Sequence, residues 1–153
     1  PKAHLFNASS GEVFGKSLLS SDENTPMSPL SPYAAAKAGA TQLVRVYREA
    51  YGIFANNGIL FNHESPLRSD RFVTQKIVST AHQISLGAKK NLELGRIDII
   101  RDWGYAPDYV KAMYLILQKE NPCDYVIATG ITTTIRDFSA DKLNTGKIDK
   151  RLN

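Results

Sequence analysis

Tyr33 and Lys37 stand four residues apart in an Ala-rich stretch. On a helix that spacing puts both side chains on one face. An ammonium beside a phenol favours the phenolate, so the pair could pass a proton to or from a hydroxyl near neutral pH. A second group is Ser9-Ser10-Gly11-Glu12, which follows an apolar run. At a strand end of an open α/β sheet, where ligands bind, Ser10 would offer a hydroxyl and Glu12 a carboxylate. Each group also has an ordinary alternative: a core tyrosine with a solvated lysine, or a plain Ser/Gly turn. Their order narrows the choice, because a strand-end serine, a Pro-bearing loop and Ser-Pro-Tyr-x-x-x-Lys at a helix head come in sequence.

The elements that must position these residues are readable. His4 to Ala8 predicts a short buried strand, and residues 18–30, with Pro26 and Pro29, predict a loop. Ser31-Pro32 is an N-cap followed by proline at the first helical position, opening a helix that Gly52 ends. Ile53 to Phe61 predicts a second buried strand, bent near Asn56-Asn57. Phe72 to Leu86 has helical apolar spacing and is stopped by Gly87. Asn91 to Leu94 predicts a short strand, Ala106 to about Gln118 a helix, and Asp124 to Ala128 a strand. Thr134-x-x-Asp137 has the form of a capping box. Beyond Phe138 the periodicity fades, and Asp141 to Asn153 predicts a ragged, poorly ordered end. Strands alternating with helices predict an α/β fold with a largely parallel sheet.

With 42% hydrophobic and 22% charged residues, the 153-residue chain has the composition of a globular domain. No apolar run would span a bilayer. Cys123 is the single cysteine, so an intrachain disulfide is excluded, in keeping with a reducing compartment. Three scattered histidines give no zinc spacing, and no metal is expected. The net charge of +4 draws on Lys142, Lys147, Lys150 and Arg151 near the end. No aromatic–basic pattern accompanies it, so nucleic acid is not expected as a partner.

The segments SSGEVFG, SPYAAAK, NGILFNHESP, RFVTQKI and RDWGYAPDYVKAM resemble the extended short-chain dehydrogenase/reductases, and within them the GDP-mannose 4,6-dehydratases. The resemblance covers about Lys2 to Phe138. Tyr-x-x-x-Lys marks only the superfamily; Asn62-His63-Glu64-Ser65-Pro66 with Arg101-Asp102-Trp103-Gly104 is much more specific. It implies the second half of a Rossmann-like NADP-binding fold with parts of a small substrate-binding domain. Residues 1–61 would be the Rossmann-type half with the catalytic residues. Residues 62–138 would be substrate-binding segments interleaved with a returning Rossmann helix, and 139–153 a divergent tail. It also implies a reaction: hydride leaves sugar C4 for NADP, the acidified C5 proton is removed, water leaves from C6, and hydride returns to C6. Carried over by position, Tyr33 would be the base at the C4 hydroxyl, and Lys37 would tune it and hold the nicotinamide ribose. Glu12 would take the C5 proton, and Ser10 would keep a hydroxyl where the family usually has threonine. His63 and Arg68 match cofactor-contacting positions. Asn62, Lys76 and Arg101 match positions facing the nucleotide sugar, Lys76 and Arg101 at its diphosphate. A plain C4 epimerase needs no equivalent of Glu12. The resemblance further implies a cytoplasmic enzyme whose parent is a dimer or tetramer.

The sequence departs from the family in three places. No Gly-rich fingerprint for a pyrophosphate occurs in the 153 residues, and the strands that would accompany it are expected to lie upstream. Leu67 stands where many members have a basic residue. After Asp137-Phe138 the pattern is expected to diverge. The alternatives are a GDP-heptose 4,6-dehydratase, another epimerase or reductase of the superfamily, and an inert truncated binding module. His63-Glu64 as a capped turn, Lys76 as a solvated charge and Arg101-Asp102 as a surface ion pair are the plain structural alternatives at those positions.

Overall fold

In the computed structural model, residues 3–16 and 20–145 are described. The chain divides into two compact units, residues 1–62 with 107–128, and residues 63–106 with 129–153.

The first unit is built on a three-stranded parallel sheet, order β1-β2-β5, with β1 at Leu5–Ser10, β2 at Ala55–Leu60 and β5 at Asp124–Ile127. Helix α1, Pro32–Tyr51, joins β1 to β2, so these elements form a β-α-β unit. Ser31 caps α1 as its sequence predicts: its backbone is extended, and its side chain accepts from the Ala34 N–H at 3.1 Å. Gly52 closes the helix with φ of 60°. As the middle strand, β2 is buried at every residue. The apolar core gathers Val13, Phe14 and Ile59, with Met27, Ala38, Phe61 and Val126 against them.

The bend expected at Asn56-Asn57 is absent. Both residues lie inside β2, fully buried, and hydrogen bonds replace the turn that their type suggested. Asn7, Asn57 and Asp124 stand opposite one another across the three strands. Asn57 Oδ1 accepts from Asn7 Nδ2 at 2.8 Å, and Asn57 Nδ2 donates to Asp124 Oδ1 at 2.8 Å. Arg45 and Arg48 of α1 close the rung on the Asp124 carboxylate. Next in β2, Gly58 is required by close approach: a Cβ there would stand 2.1 Å from the Phe6 ring.

The second unit carries a sheet of order β3-β4-β6, from Asn62–Glu64, Ile100–Tyr105 and Thr132–Thr134. Strands β4 and β6 are antiparallel, with Arg101 opposite Thr133. Helices α2, Val73–Ser85, and α4, Ile135–Thr145, pack together here. Half of the capping box is formed: Thr134 Oγ1 accepts from the Asp137 N–H at 3.0 Å, and the Asp137 carboxylate returns to the Thr134 hydroxyl, accepting from Oγ1 at 2.6 Å. Helix α4 therefore runs to Thr145, through the start of the tail expected to be ragged; residues 146–153 of that tail lie outside the described residues. The strand expected at Asn91 to Leu94 is not made. Leu92 and Leu94 are half-buried without a partner strand, so side-chain alternation was present but no ladder. Helix α3, Ala106–Leu117, leads to β5 of the first unit. Its last carbonyl, Leu117 O, lies 2.8 Å from His4 Nδ1, and the His4 ring stacks on Phe54.

Candidate active site

Ser10 ends β1 and caps a short 3-10 turn, Gly11–Phe14. Its Oγ accepts from the Glu12 N–H at 3.3 Å and keeps its own proton to donate. Val13 and Phe14 are buried, and Glu12 just before them is exposed. Gly15 lets the chain turn back: it has φ of 65°, and a Cβ there would stand 2.1 Å from Ser28 O. The Ser28 N–H donates to Val13 O at 2.8 Å and tethers the following loop to this turn.

Helix α1 packs on both β1 and this turn. Tyr33 lies in its first turn and is 53% exposed. Lys37, half-buried, follows one turn on; its Nζ donates to Ala8 O at 2.7 Å and lies 5.8 Å from the Tyr33 ring centroid. One ammonium thus ties the Tyr33 face of the helix to the strand, two residues before Ser10. A turn deeper, Thr41 Oγ1 donates to Lys37 O at 2.8 Å and meets Ser9 Oγ at 2.6 Å. The sequence marks Ser9 only as part of the turn and does not mark Thr41, because a small hydroxyl residue beside an apolar run reads as turn or surface. Burial of both hydroxyls makes their mutual hydrogen bond obligatory. Ser10, Glu12, Tyr33 and Lys37 therefore share one compact unit, at the carboxyl end of β1.

The other residues singled out by sequence lie in or at the edge of the second unit. Asn62 opens β3 and His63 follows it, both half-buried. Lys76 is exposed on α2. Arg101 is exposed on β4, with Nη1 donating to Ile100 O at 2.9 Å. Arg68 is more committed than its sequence position suggested. Its Nε faces the buried Glu64 carboxylate at 3.3 Å, and its guanidinium stacks over Phe72, 3.5 Å from the ring centroid. Glu64, Arg68 and Phe72 thus form a clamp along residues 64–72, and His63-Glu64 is strand rather than a capped turn. Arg101-Asp102 is not a surface ion pair either, because the Asp102 carboxylate is buried and bonds to Thr129 and Gly130. Leu67, the departure from the family's basic residue, is 94% exposed.

A cavity of about 480 Å³ opens at the opposite, amino end of the first unit's strands, among Glu23, Arg45, Arg48, Cys123 and Asp124. None of the expected site residues lines it. Among the described residues no cluster of metal-ligating side chains occurs, and no helix is long and apolar enough to cross a membrane.

A family model described as GDP-mannose 4,6 dehydratase matches residues 1–152. The chain belongs to this family. The match continues past Phe138, where divergence was expected. GDP-mannose 4,6-dehydratase of Sinorhizobium fredii is 51% identical over 138 residues, covering 90% of this chain and 39% of the relative. GDP-mannose 4,6 dehydratase 1 of Arabidopsis thaliana is 50% identical over 133 residues, covering 87% and 37%. The chain thus spans well under half the length of these curated relatives. RMD from Pseudomonas aeruginosa, solved with NADPH, has the same fold over 92% of this chain and 51% of its own, with TM-score 0.84 and 27% identity. A dTDP-glucose 4,6-dehydratase from Bacillus anthracis, solved with NAD, covers 98% and 48%, with TM-score 0.83 and 26% identity. The fold is the α/β Rossmann type.

Proposed function

We propose that this chain supplies the proton-transfer residues of an NADP-dependent dehydration of GDP-mannose to GDP-4-keto-6-deoxymannose. The observation that carries the reading is the tether of Lys37 to Ala8 O, which seats Tyr33 and Lys37 beside the strand that delivers Ser10 and Glu12. Tyr33 takes the proton from the sugar C4 hydroxyl, and Ser10 donates a hydrogen bond to the same oxygen. Lys37 spends one N–H on Ala8 O and keeps two for a ribose hydroxyl, while its charge supports the Tyr33 phenolate. Glu12, exposed and acceptor-only when ionised, removes the C5 proton once C4 is a ketone, then returns a proton to the departing C6 hydroxyl. NADP would be held at its nicotinamide ribose by Tyr33 and Lys37, and would supply the hydride acceptor and donor that the dehydration needs. The residues present fit its nicotinamide ribose end, while no glycine-rich cradle for its pyrophosphate occurs in these 153 residues.

Asn62, Lys76 and Arg101 would meet the nucleotide sugar, the two cations at its diphosphate. His63 would contact the cofactor, and Arg68, held by Glu64 and Phe72, would present its remaining N–H groups to it. The enzyme would work in the cytoplasm as a homo-oligomer. The test is an assay of the full-length protein with GDP-mannose and NADP, reading the 4-keto-6-deoxy product. Conversion of the sugar without loss of water would support a C4 epimerase and overturn this reading.

A further inference from the structure

The Asp102 carboxylate joins two segments of the second unit that lie 27 residues apart. It is 6% exposed on β4, between two residues whose side chains leave the strand on its other face. Three donors of the 129–131 turn, which precedes β6, converge on it. Thr129 N–H lies 3.1 and 3.0 Å from its two oxygens, Thr129 Oγ1 donates at 2.8 Å, and Gly130 N–H donates at 2.8 Å. Gly130 has φ of 75°, and the turn leads directly into β6, where Thr132 stands opposite Asp102 and Thr133 opposite Arg101. The carboxylate therefore closes the end of the β4–β6 ladder, and its hydrogen bonds among the described residues are to this turn. A one-residue slip of β4 would carry Arg101 to the other face of the sheet.

We infer that Asp102 is a positioning residue for Arg101: by locking β4 to the 129–131 turn it sets the face and height at which the guanidinium meets a diphosphate. The inference rests on the proposed contact of Arg101 with the nucleotide-sugar diphosphate. Trp103, the single tryptophan, is the next residue and packs on Phe138 with ring centroids 5.2 Å apart, which makes it a built-in reporter.

The experiment titrates the 153-residue chain with GDP, following Trp103 fluorescence, for wild type, Arg101→Ala, Asp102→Asn and the double variant. Asn offers one acceptor oxygen, and its amide N–H groups face donors, so it cannot replace the carboxylate. Asp102→Asn should weaken GDP binding about ten-fold, the loss of one charge-assisted contact, and should change nothing further in the Arg101→Ala background. Amide exchange at Arg101 and Thr133, measured without ligand, should quicken while Ile59 in the first unit stays protected. An equal loss of affinity in both backgrounds, or unchanged exchange on β4, overturns the inference. If Arg101→Ala leaves GDP affinity unchanged, or the wild type gives no response to GDP, the diphosphate reading falls instead, and exchange alone decides whether Asp102 sets the strand. Should Asp102→Asn fail to fold, Thr129→Val removes one bond to the carboxylate and the Oγ1 bonds to Ile131 within the turn, with no change of charge, and should give the same pattern at smaller amplitude.

Discussion

Glu12 is held by its neighbours and left open to its surroundings. Ser10 caps its N–H, and Val13 and Phe14 anchor the turn in the core, so the backbone is fixed while the side chain is exposed. A carboxylate exposed in this way can meet a substrate carbon. In the full-length protein, Glu12→Gln keeps the size of the side chain and removes its basicity. Dehydration should fall by roughly a hundred- to ten-thousand-fold, the usual share of a general base. Oxidation at C4 depends on Tyr33 and Lys37 and should survive, so reduced cofactor should still appear as near-ultraviolet absorbance, with no solvent deuterium entering C5. Near-normal dehydration by this variant would remove Glu12 from the mechanism. Tyr33→Phe should do the reverse. With no phenol to take the C4 proton, reduced cofactor should fail to accumulate, and nucleotide-sugar binding should change little.

Among the elements, β1, β2, β5 and α1 are locked by polar contacts at one end and apolar ones above. Burial alone would raise the pKa of Asp124. Hydrogen bonds from Arg45, Arg48 and Asn57 outweigh it and hold the carboxyl below its ordinary value. A carboxylate depressed in the folded state adds stability above its unfolded pKa of about 3.9, and that stability is lost as pH falls through the lower folded value. Urea midpoints of the wild type should therefore drop below about pH 4, and Asp124→Asn should flatten that part of the curve. Near neutral pH, Asp124→Asn should cost on the order of 3 kcal/mol, because two partly buried guanidinium groups lose their counter-charge. A midpoint unchanged by the substitution would show that the rung contributes nothing. The α1 cap is a smaller matter. Ser31→Ala should cost about 1 kcal/mol by the same measurement, since the Ala34 N–H loses its acceptor.

For the molecule as a whole, site and cofactor fit differ in extent. The 153 residues carry the proposed proton-transfer set but no glycine-rich pyrophosphate cradle, and they cover 39% and 37% of two curated relatives. A dinucleotide held only near its nicotinamide ribose loses the backbone N–H contacts and helix dipole that normally fix its pyrophosphate. This chain alone should therefore show no release of 4-keto-6-deoxy sugar from GDP-mannose with NADP. Turnover by the isolated chain would mean that some other surface supplies the cradle.

Several features were legible from the residues alone because they are local. The Ser31-Pro32 start of α1, its Gly52 end, the Thr134–Asp137 box and the four-residue step from Tyr33 to Lys37 each depend on neighbours within one turn of chain. The α/β class followed from periodicity, which is local too. What tertiary structure alone decided is how polar residues are satisfied across distance. Asn57 was read as a bend and is the centre of a buried rung, because its partners lie 50 and 67 residues away. Asp102, for which a surface ion pair with Arg101 was the plain structural alternative, is buried on a turn 27 residues on. Strand β4 was missed because Arg-Asp-Trp-Gly has no apolar alternation, and a strand without it is made only by the partner that pairs with it. A side chain's type states which bonds it needs, and only the fold states who provides them.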